Sequence, residues 1–199
     1  MFGTIVENMQ FILPIIISYF IGSFPTGYIF ARLCGIIDIR NHGSGNIGAT
    51  NVARILGARF FIPVFLFDAC KAYANMFILL NMGYKDYSII AAAVAHLIGN
   101  SWSVFLKGRG GKGVATTVGL VMVLQPYVMP YLFLVWVLVF LCTQTVGLAS
   151  VAAIISFPIW SFICNYSTQL LFFSCFVSVW ILMRHRVNIK DALARKGVN

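Results

Sequence analysis

The sequence predicts an all-α polytopic integral membrane protein, a compact bundle of seven transmembrane helices with polar loops facing the cytoplasm. Three observations lead there. Of 199 residues, 60% are hydrophobic and only 10% charged, with a mean hydropathy of +0.91, which is the composition of a bilayer protein rather than a soluble core. Long apolar stretches recur at 9–31, 60–82, 87–106, 114–142, 147–164 and 168–183. The cations, finally, cluster in a few segments between those stretches.

The stretch 9–31 has no Lys or Arg before it and no small-residue cleavage site, so it is expected to stay in the mature chain as the first span. The stretches 60–82 and 87–106 supply the next two, separated by a loop carrying Lys85. The stretch 114–142 is too long for one crossing. Its 29 residues would make a helix of roughly 44 Å at about 1.5 Å per residue, against a hydrocarbon core of about 30 Å. Gln125-Pro126 and Pro130 lie inside it and favour a turn. The stretches 147–164 and 168–183 complete the set.

Charge arbitrates between six and seven spans. Arg32, Arg40, Arg54 and Arg59 form one basic group, Lys107, Arg109 and Lys112 a second, and Arg184, Arg186, Lys190, Arg195 and Lys196 a third. A single crossing at 114–142 would put the third group opposite the other two, against the positive-inside rule. Two crossings bring all three to the cytoplasm, with the N-terminus outside. No repeat, linker or low-complexity tract interrupts residues 1–199, so a single domain is expected.

The net charge of +9 does not indicate nucleic acid, because the cations flank apolar runs and form no basic stripe with interleaved aromatics. The cysteines at 34, 70, 142, 164 and 175 make no CxxC pair, so they are read as reduced apolar residues and neither a metal nor a cofactor is expected.

Three polar islands remain. In the first, Arg40 to Arg54, Gly43, Gly45 and Gly48 surround Ser44 and Asn46, followed by Thr50, Asn51 and Arg54. Glycine spacing frees backbone N–H groups to point at an anion, and Ser, Asn and Arg add directional donors. The second island, Lys107 to Thr117, holds Gly108, Arg109, Gly110, Gly111, Lys112, Gly113 and Thr116. It resembles a phosphate-cradling loop entering a helix, but lacks the G-x4-G-K-[ST] spacing of nucleotide hydrolases. The third, Arg184 to Asn188, sets His185 and Asn188 three apart, on one helical face at the end of the last span. A fourth polar stretch, Thr143 to Ser150, lies on the same side. With seven spans all four converge, so one composite anion site is expected. His42 and His96 read more simply as a loop residue and a packed residue.

These motifs carry a family resemblance. G-S-G-N-I-G-A-T-N-V-A-R at 43–54, G-G-K-G-V-A-T at 110–116 and R-H-R-V-N-I at 184–189, in that order, resemble the bacterial glycerol-3-phosphate acyltransferases that use acyl phosphate, the PlsY family. G-S-x-x-x-G at 22–27, D-x-R at 38–40, F-D-x-x-K at 67–71 and L-A-S at 148–150 support it. Val187 stands where the family usually has Glu, Asn100 and Ser103 where it often has His and Pro, and Gly147 where a serine is expected.

The resemblance implies a seven-helix enzyme of the bacterial plasma (inner) membrane with its active site toward the cytoplasm. It implies transfer of a fatty acyl group from acyl phosphate to the 1-hydroxyl of glycerol 3-phosphate, giving lysophosphatidic acid and phosphate. Ser44, Arg54, His185 and Asn188 are then assigned to the reaction centre, and the 108–113 loop with Lys112 to the phosphate of glycerol 3-phosphate. Gly43, Gly45, Asn46, Thr50, Asn51, Thr116 and Ser150 complete the substrate contacts. The partners implied are the two substrates and the bilayer; oligomeric state is not legible, with a monomer as the default.

No H-x4-D acid–base pair is present, since Ile47, Ser101 and Lys190 follow the three histidines at that interval. An acyl phosphate has a good leaving group, so positioning and charge neutralisation could carry most of the rate. The alternative class is a small transporter or channel for an anionic phosphorylated metabolite, whose mark would be paired halves with interrupted spans. No such pairing is visible.

Overall fold

The computed structural model describes residues 2–187. It resolves into two compact units, Met1–Leu124 and Gln125–Asn199, and every regular element among the described residues is helical.

In the first unit α1 spans Phe2–Ser23, α2 Thr26–Leu33, α3 Ala49–Leu56, α4 Phe61–Asn81, α5 Asp86–Ser101 and α6 Val114–Leu124. The apolar stretch 9–31, read as the first span, is broken at Phe24-Pro25. Proline lacks the N–H that would continue the ladder, and its ring disfavours helical geometry at the preceding residue. Helix α1 packs on α5 and α4 on α6. The first contact relies on small residues. A Cβ on Gly22 would lie 2.1 Å from the His96 carbonyl, and one on Gly99 would lie 2.2 Å from the Tyr19 carbonyl, so the two backbones meet where no side chain would fit.

One polar cluster inside this bundle is paired across helices. Asn75 of α4 donates through Nδ2 to Ser18 Oγ of α1 at 2.8 Å and lies 3.0 Å from His96 Nδ1 of α5, all three residues being buried. The amide can only donate there, so His96 Nδ1 is the accepting nitrogen. His96 thus belongs to interior packing, as the sequence suggested.

In the second unit α7 spans Met129–Thr143, α8 Val146–Ile163 and α9 Thr168–Arg184. Helix α8 packs on both α7 and α9. The apolar stretch 114–142 is divided as charge required: α6 stops at Leu124, a single turn of 3-10 helix covers Pro126–Val128, and α7 follows. Buried Gln125 fixes the turn by donating Nε2 to the Leu170 carbonyl at 2.9 Å. Tyr166 Oη accepts the Tyr127 N–H at 3.1 Å.

Five helical stretches among the described residues are long and apolar enough to cross a membrane: Phe11–Leu33, Ala58–Asn81, Asp86–Leu106, Pro126–Thr143 and Val146–Ile163. Val114–Leu124 and Thr168–Arg184 are shorter apolar helices. The outward faces carry Phe133, Phe162 and Phe172, each more than 60% exposed. Surfaces of this kind are matched to lipid, not water. The cysteines are free thiols.

Candidate active site

The first polar island folds as a turn locked from behind by one side chain. Asn51, in the first turn of α3, is buried. Its Oδ1 accepts the Ser44 N–H at 2.8 Å, and its Nδ2 donates to the carbonyls of His42 at 3.0 Å and Asn46 at 2.8 Å. Asn46 Oδ1 in turn accepts the Gly48 N–H at 2.7 Å, at the position that caps α3. Gly43 and Gly45 sit at φ +59° and +70°, a region costly for residues with a Cβ. At Gly43 a Cβ would also fall 2.3 Å from Asn51 Oδ1. The turn therefore presents Ser44 to solvent while Asn51 holds it.

Helix α3 extends this surface. Thr50 and Arg54 are four apart and both exposed, so they share the outer face of the helix. Asn51 and Val52 face inward.

The second island is shaped by its main chain. The Gly111 N–H donates to the Asn100 carbonyl at 2.8 Å, the Gly110 N–H to Ser101 at 3.1 Å and the Gly108 N–H to Ser103 at 2.8 Å. Gly110 lies so near this strand of chain that a Cβ would sit 2.2 Å from the Asn100 carbonyl oxygen. Lys112 follows, half-buried, and the Gly113 carbonyl accepts the Thr117 N–H at 2.8 Å as α6 begins. The hydroxyls of Thr116 and Thr117 are buried with no hydrogen-bond partner among the described residues. Ser103 donates its hydroxyl to the Ser23 carbonyl at 2.5 Å, tying the loop to the end of α1.

Arg40 joins the two islands. Its Nη2 pairs with Asp38 Oδ2 at 2.6 Å and its Nε with both carboxylate oxygens, while Nη1 donates to the Leu106 carbonyl at 3.2 Å. The guanidinium lies 5.5 Å from the Tyr28 ring centre, and beneath it Ala31, Ile39, Ile47 and Leu106 form one buried cluster. The Arg40 hydrogen bond holds the Asp38 carboxyl at about 2, below its ordinary 3.8.

In the second unit Ser150 is buried on α8. Its hydroxyl donates to the Val146 carbonyl at 2.8 Å and accepts the Trp136 Nε1–H at 3.2 Å, so its single proton is used within the helix. His185 caps α9 and is buried. Its Nδ1 lies 2.9 Å from the Ile181 carbonyl. A carbonyl can only accept, so Nδ1 carries a proton in this contact. Asn188 lies outside the described residues.

Of the residues expected at the site, the first unit brings Gly43, Ser44, Gly45, Asn46, Thr50, Asn51 and Arg54 onto one loop and helix. Gly108, Gly110, Gly111, Lys112, Gly113 and Thr116 lie on a second segment, tied to the first through Arg40. Sequence reasoning missed Arg40 as the bridge; the Asp-x-Arg spacing at 38–40 was its only trace. It also read Asn51 as a substrate contact without seeing that its amide shapes the turn.

The fold is that of an all-helical integral membrane protein, with two glycine-rich basic loops tied together at one end of its first unit. Residues 12–195 match the family model described as glycerol-3-phosphate acyltransferase. The chain belongs to that family. It is 37% identical to the glycerol-3-phosphate acyltransferase of Aquifex aeolicus, covering 93% of this chain and 96% of the relative, and 40% identical to that of Thermoanaerobacter sp. strain X514, over 94% and 93%. A crystal structure of PlsY (YgiH), an integral membrane glycerol 3-phosphate acyltransferase in its glycerol 3-phosphate form, superposes with a TM-score of 0.87, at 37% identity and 92% coverage of both chains. Its lysophosphatidic acid form gives 0.84, at 35% identity over 92% of this chain and 91% of the other.

Proposed function

We propose that this chain transfers a fatty acyl group from acyl phosphate to the 1-hydroxyl of glycerol 3-phosphate, releasing phosphate and lysophosphatidic acid. Within the fold, the observation that carries this reading is the Arg40 bridge, which brings a serine-bearing turn and a lysine-bearing glycine loop together in one unit. Family membership supplies the reaction class.

The chemistry asks for what these loops offer. Both substrates are phosphate esters or anhydrides, so cations and N–H donors must offset their repulsion before the acyl carbon can be reached. Lys112, with the main chain of 108–113, is assigned to the glycerol 3-phosphate headgroup. Ser44 and Arg54 are assigned to the acyl phosphate and reacting carbonyl. Gly43, Gly45, Asn46, Thr50 and Asn51 shape the first loop around them, and Thr116 offers its hydroxyl from the second.

The acceptor oxygen forms a bond to the acyl carbon as the carbon–oxygen bond to phosphate breaks. The hydroxyl proton leaves to a phosphate oxygen or to His185. His185, Asn188 and Ser150 enter the proposal on their motifs. The apolar spans hold the acyl chain.

We further propose seven spans in the bacterial plasma membrane, with the N-terminus outside and the glycine-rich loops and C-terminus in the cytoplasm, following the charge distribution. The chain works as one domain and needs no cofactor.

The test is direct. Purified protein in detergent, supplied with acyl phosphate and radiolabelled glycerol 3-phosphate, should yield labelled lysophosphatidic acid and one equivalent of phosphate, and acyl-CoA should not replace the donor. Product formed equally well from acyl-CoA would overturn the donor assignment. Absence of any ester would overturn the activity.

A further inference from the structure

Helix α4 carries an ion pair where a membrane span has least reason to hold one. Asp68 and Lys71 lie within Ala58–Asn81, and Lys71 Nζ meets Asp68 Oδ1 at 2.7 Å, with the side chains 8% and 13% exposed. Charges in such a setting are costly and ordinarily mark a function or a structural requirement. Both partners turn toward the α1–α2 break. Lys71 Nζ donates to the Phe24 carbonyl at 2.8 Å, and Asp68 Oδ1 accepts the Thr26 hydroxyl at 2.7 Å.

The break exposes carbonyls at the end of α1 that have lost their helical donors, and Pro25 has no N–H to give. The Phe24 carbonyl accepts the Thr26 N–H at 3.1 Å, and Lys71 gives it a second, charged donor. Asp68 grips the first residue of α2, whose own cap provides no side-chain bond.

What α2 then touches is the serine-bearing turn. A Cβ on Gly27 would lie 1.9 Å from the Ile47 carbonyl and 3.0 Å from Val52 Cγ2, so α2 rests directly on the chain between Asn46 and α3. The next residue, Tyr28, lies beneath the Arg40 guanidinium, and one turn on from Gly27 Ala31 packs on Ile39 and Ile47. Displacing α2 by even a fraction of an ångström would be felt at Ile47, because there is no side chain to absorb the movement.

We propose that Asp68 and Lys71, acting through Thr26, are positioning residues that fix the direction of α2 and thereby the placement of the Gly43–Asn46 turn. The link to turnover rests on the proposed acyltransferase reaction; the link to the turn does not.

The experiment therefore has two readouts on Thr26→Val, Thr26→Ser and Asp68→Asn, each purified in detergent. Hydrogen exchange over residues 40–52 reads the Ser44–Asn51 bond without substrate. Exchange should quicken about tenfold or more in Thr26→Val and Asp68→Asn and stay at the parental rate in Thr26→Ser. Acyl transfer per folded molecule should fall in the same two variants, through kcat rather than KM for glycerol 3-phosphate, and recover in Thr26→Ser. Should Asp68→Asn not fold, the Thr26 pair alone decides. Parental exchange rates in Thr26→Val would overturn the inference. A parent protein with no acyltransferase activity, but with exchange responding as described, would overturn the functional reading and leave the positioning role standing.

Discussion

Asn51 Oδ1 accepts the backbone N–H of Ser44 at 2.8 Å, while the same side chain's Nδ2 donates to the carbonyls on either side, at His42 and Asn46. One buried amide thus completes three main-chain bonds of a turn whose serine stands in solvent. Removing it by Asn51→Ala should loosen the turn by about 1.5–4.5 kcal/mol, three neutral hydrogen bonds at about 0.5–1.5 kcal/mol each. Asn51→Asp should be no milder, because the new oxygen would face two carbonyls that need a donor. Hydrogen exchange over 40–52 checks the loosening, and acyl transfer checks its consequence.

The contacts assigned to substrate are charge-assisted. Ser44→Ala, Arg54→Ala and Lys112→Ala should each reduce turnover about tenfold or more, corresponding to a lost interaction of about 1.4 kcal/mol. Near-parental phosphate release in all three would remove this site from consideration.

Gly110 tests the second loop. A Cβ 2.2 Å from the Asn100 carbonyl forces the main chain apart, so Gly110→Ala should raise KM for glycerol 3-phosphate about tenfold while the folded protein still binds detergent and elutes normally. An unchanged KM would mean that this loop does not hold the headgroup.

Thr116 separates binding from stability. Its hydroxyl is buried with no hydrogen-bond partner among the described residues, so Thr116→Val should leave the thermal unfolding temperature unchanged or higher. If the hydroxyl serves substrate, KM rises in the same variant.

The Asp38–Arg40 pair makes the junction between loops sensitive to acid. The Asp38 carboxyl sits at about 2, below its ordinary 3.8, because Arg40 bonds its ionised form. Its folded-state value is the lower one, so the stabilisation is complete above about pH 4 and drains away as pH falls toward 2. Thermal unfolding followed from pH 5 to pH 2.5 should show a steeper acid loss in the parent than in Asp38→Asn.

Much of this was legible in the residues. The division of 114–142 followed from length, Gln125-Pro126 and the side on which the basic tail must fall, and α6, the Pro126 turn and α7 bear it out. The glycine-rich islands were recognisable by composition, since a bilayer protein has little other use for them. The α1–α2 break was missed because the small residues around Pro25, Gly22, Ser23, Thr26 and Gly27, lie between apolar runs whose average hydropathy carries across them, and hydropathy does not register a lost N–H. Arg40 was missed for another reason. Its partners, Asp38 and the Leu106 carbonyl, are one near and one 66 residues away, and no local pattern announces a bond to a distant main-chain oxygen. Asn51 was found but given only half its work, because a motif reports which residue is needed and not whether it faces ligand or its own backbone.

The bend from Asn100 to Gly111 is drawn by peptide groups rather than by side chains: three amide protons reach three carbonyls along it. Glycine opposite lets the main chain close on itself, while the Ser103 hydroxyl moors the bend to the Ser23 carbonyl at the end of α1. Asn100 lends these bonds only its carbonyl, so its side chain can be exchanged with the curve still drawn, whereas a change at Ser103 would keep the curve and cast off its mooring.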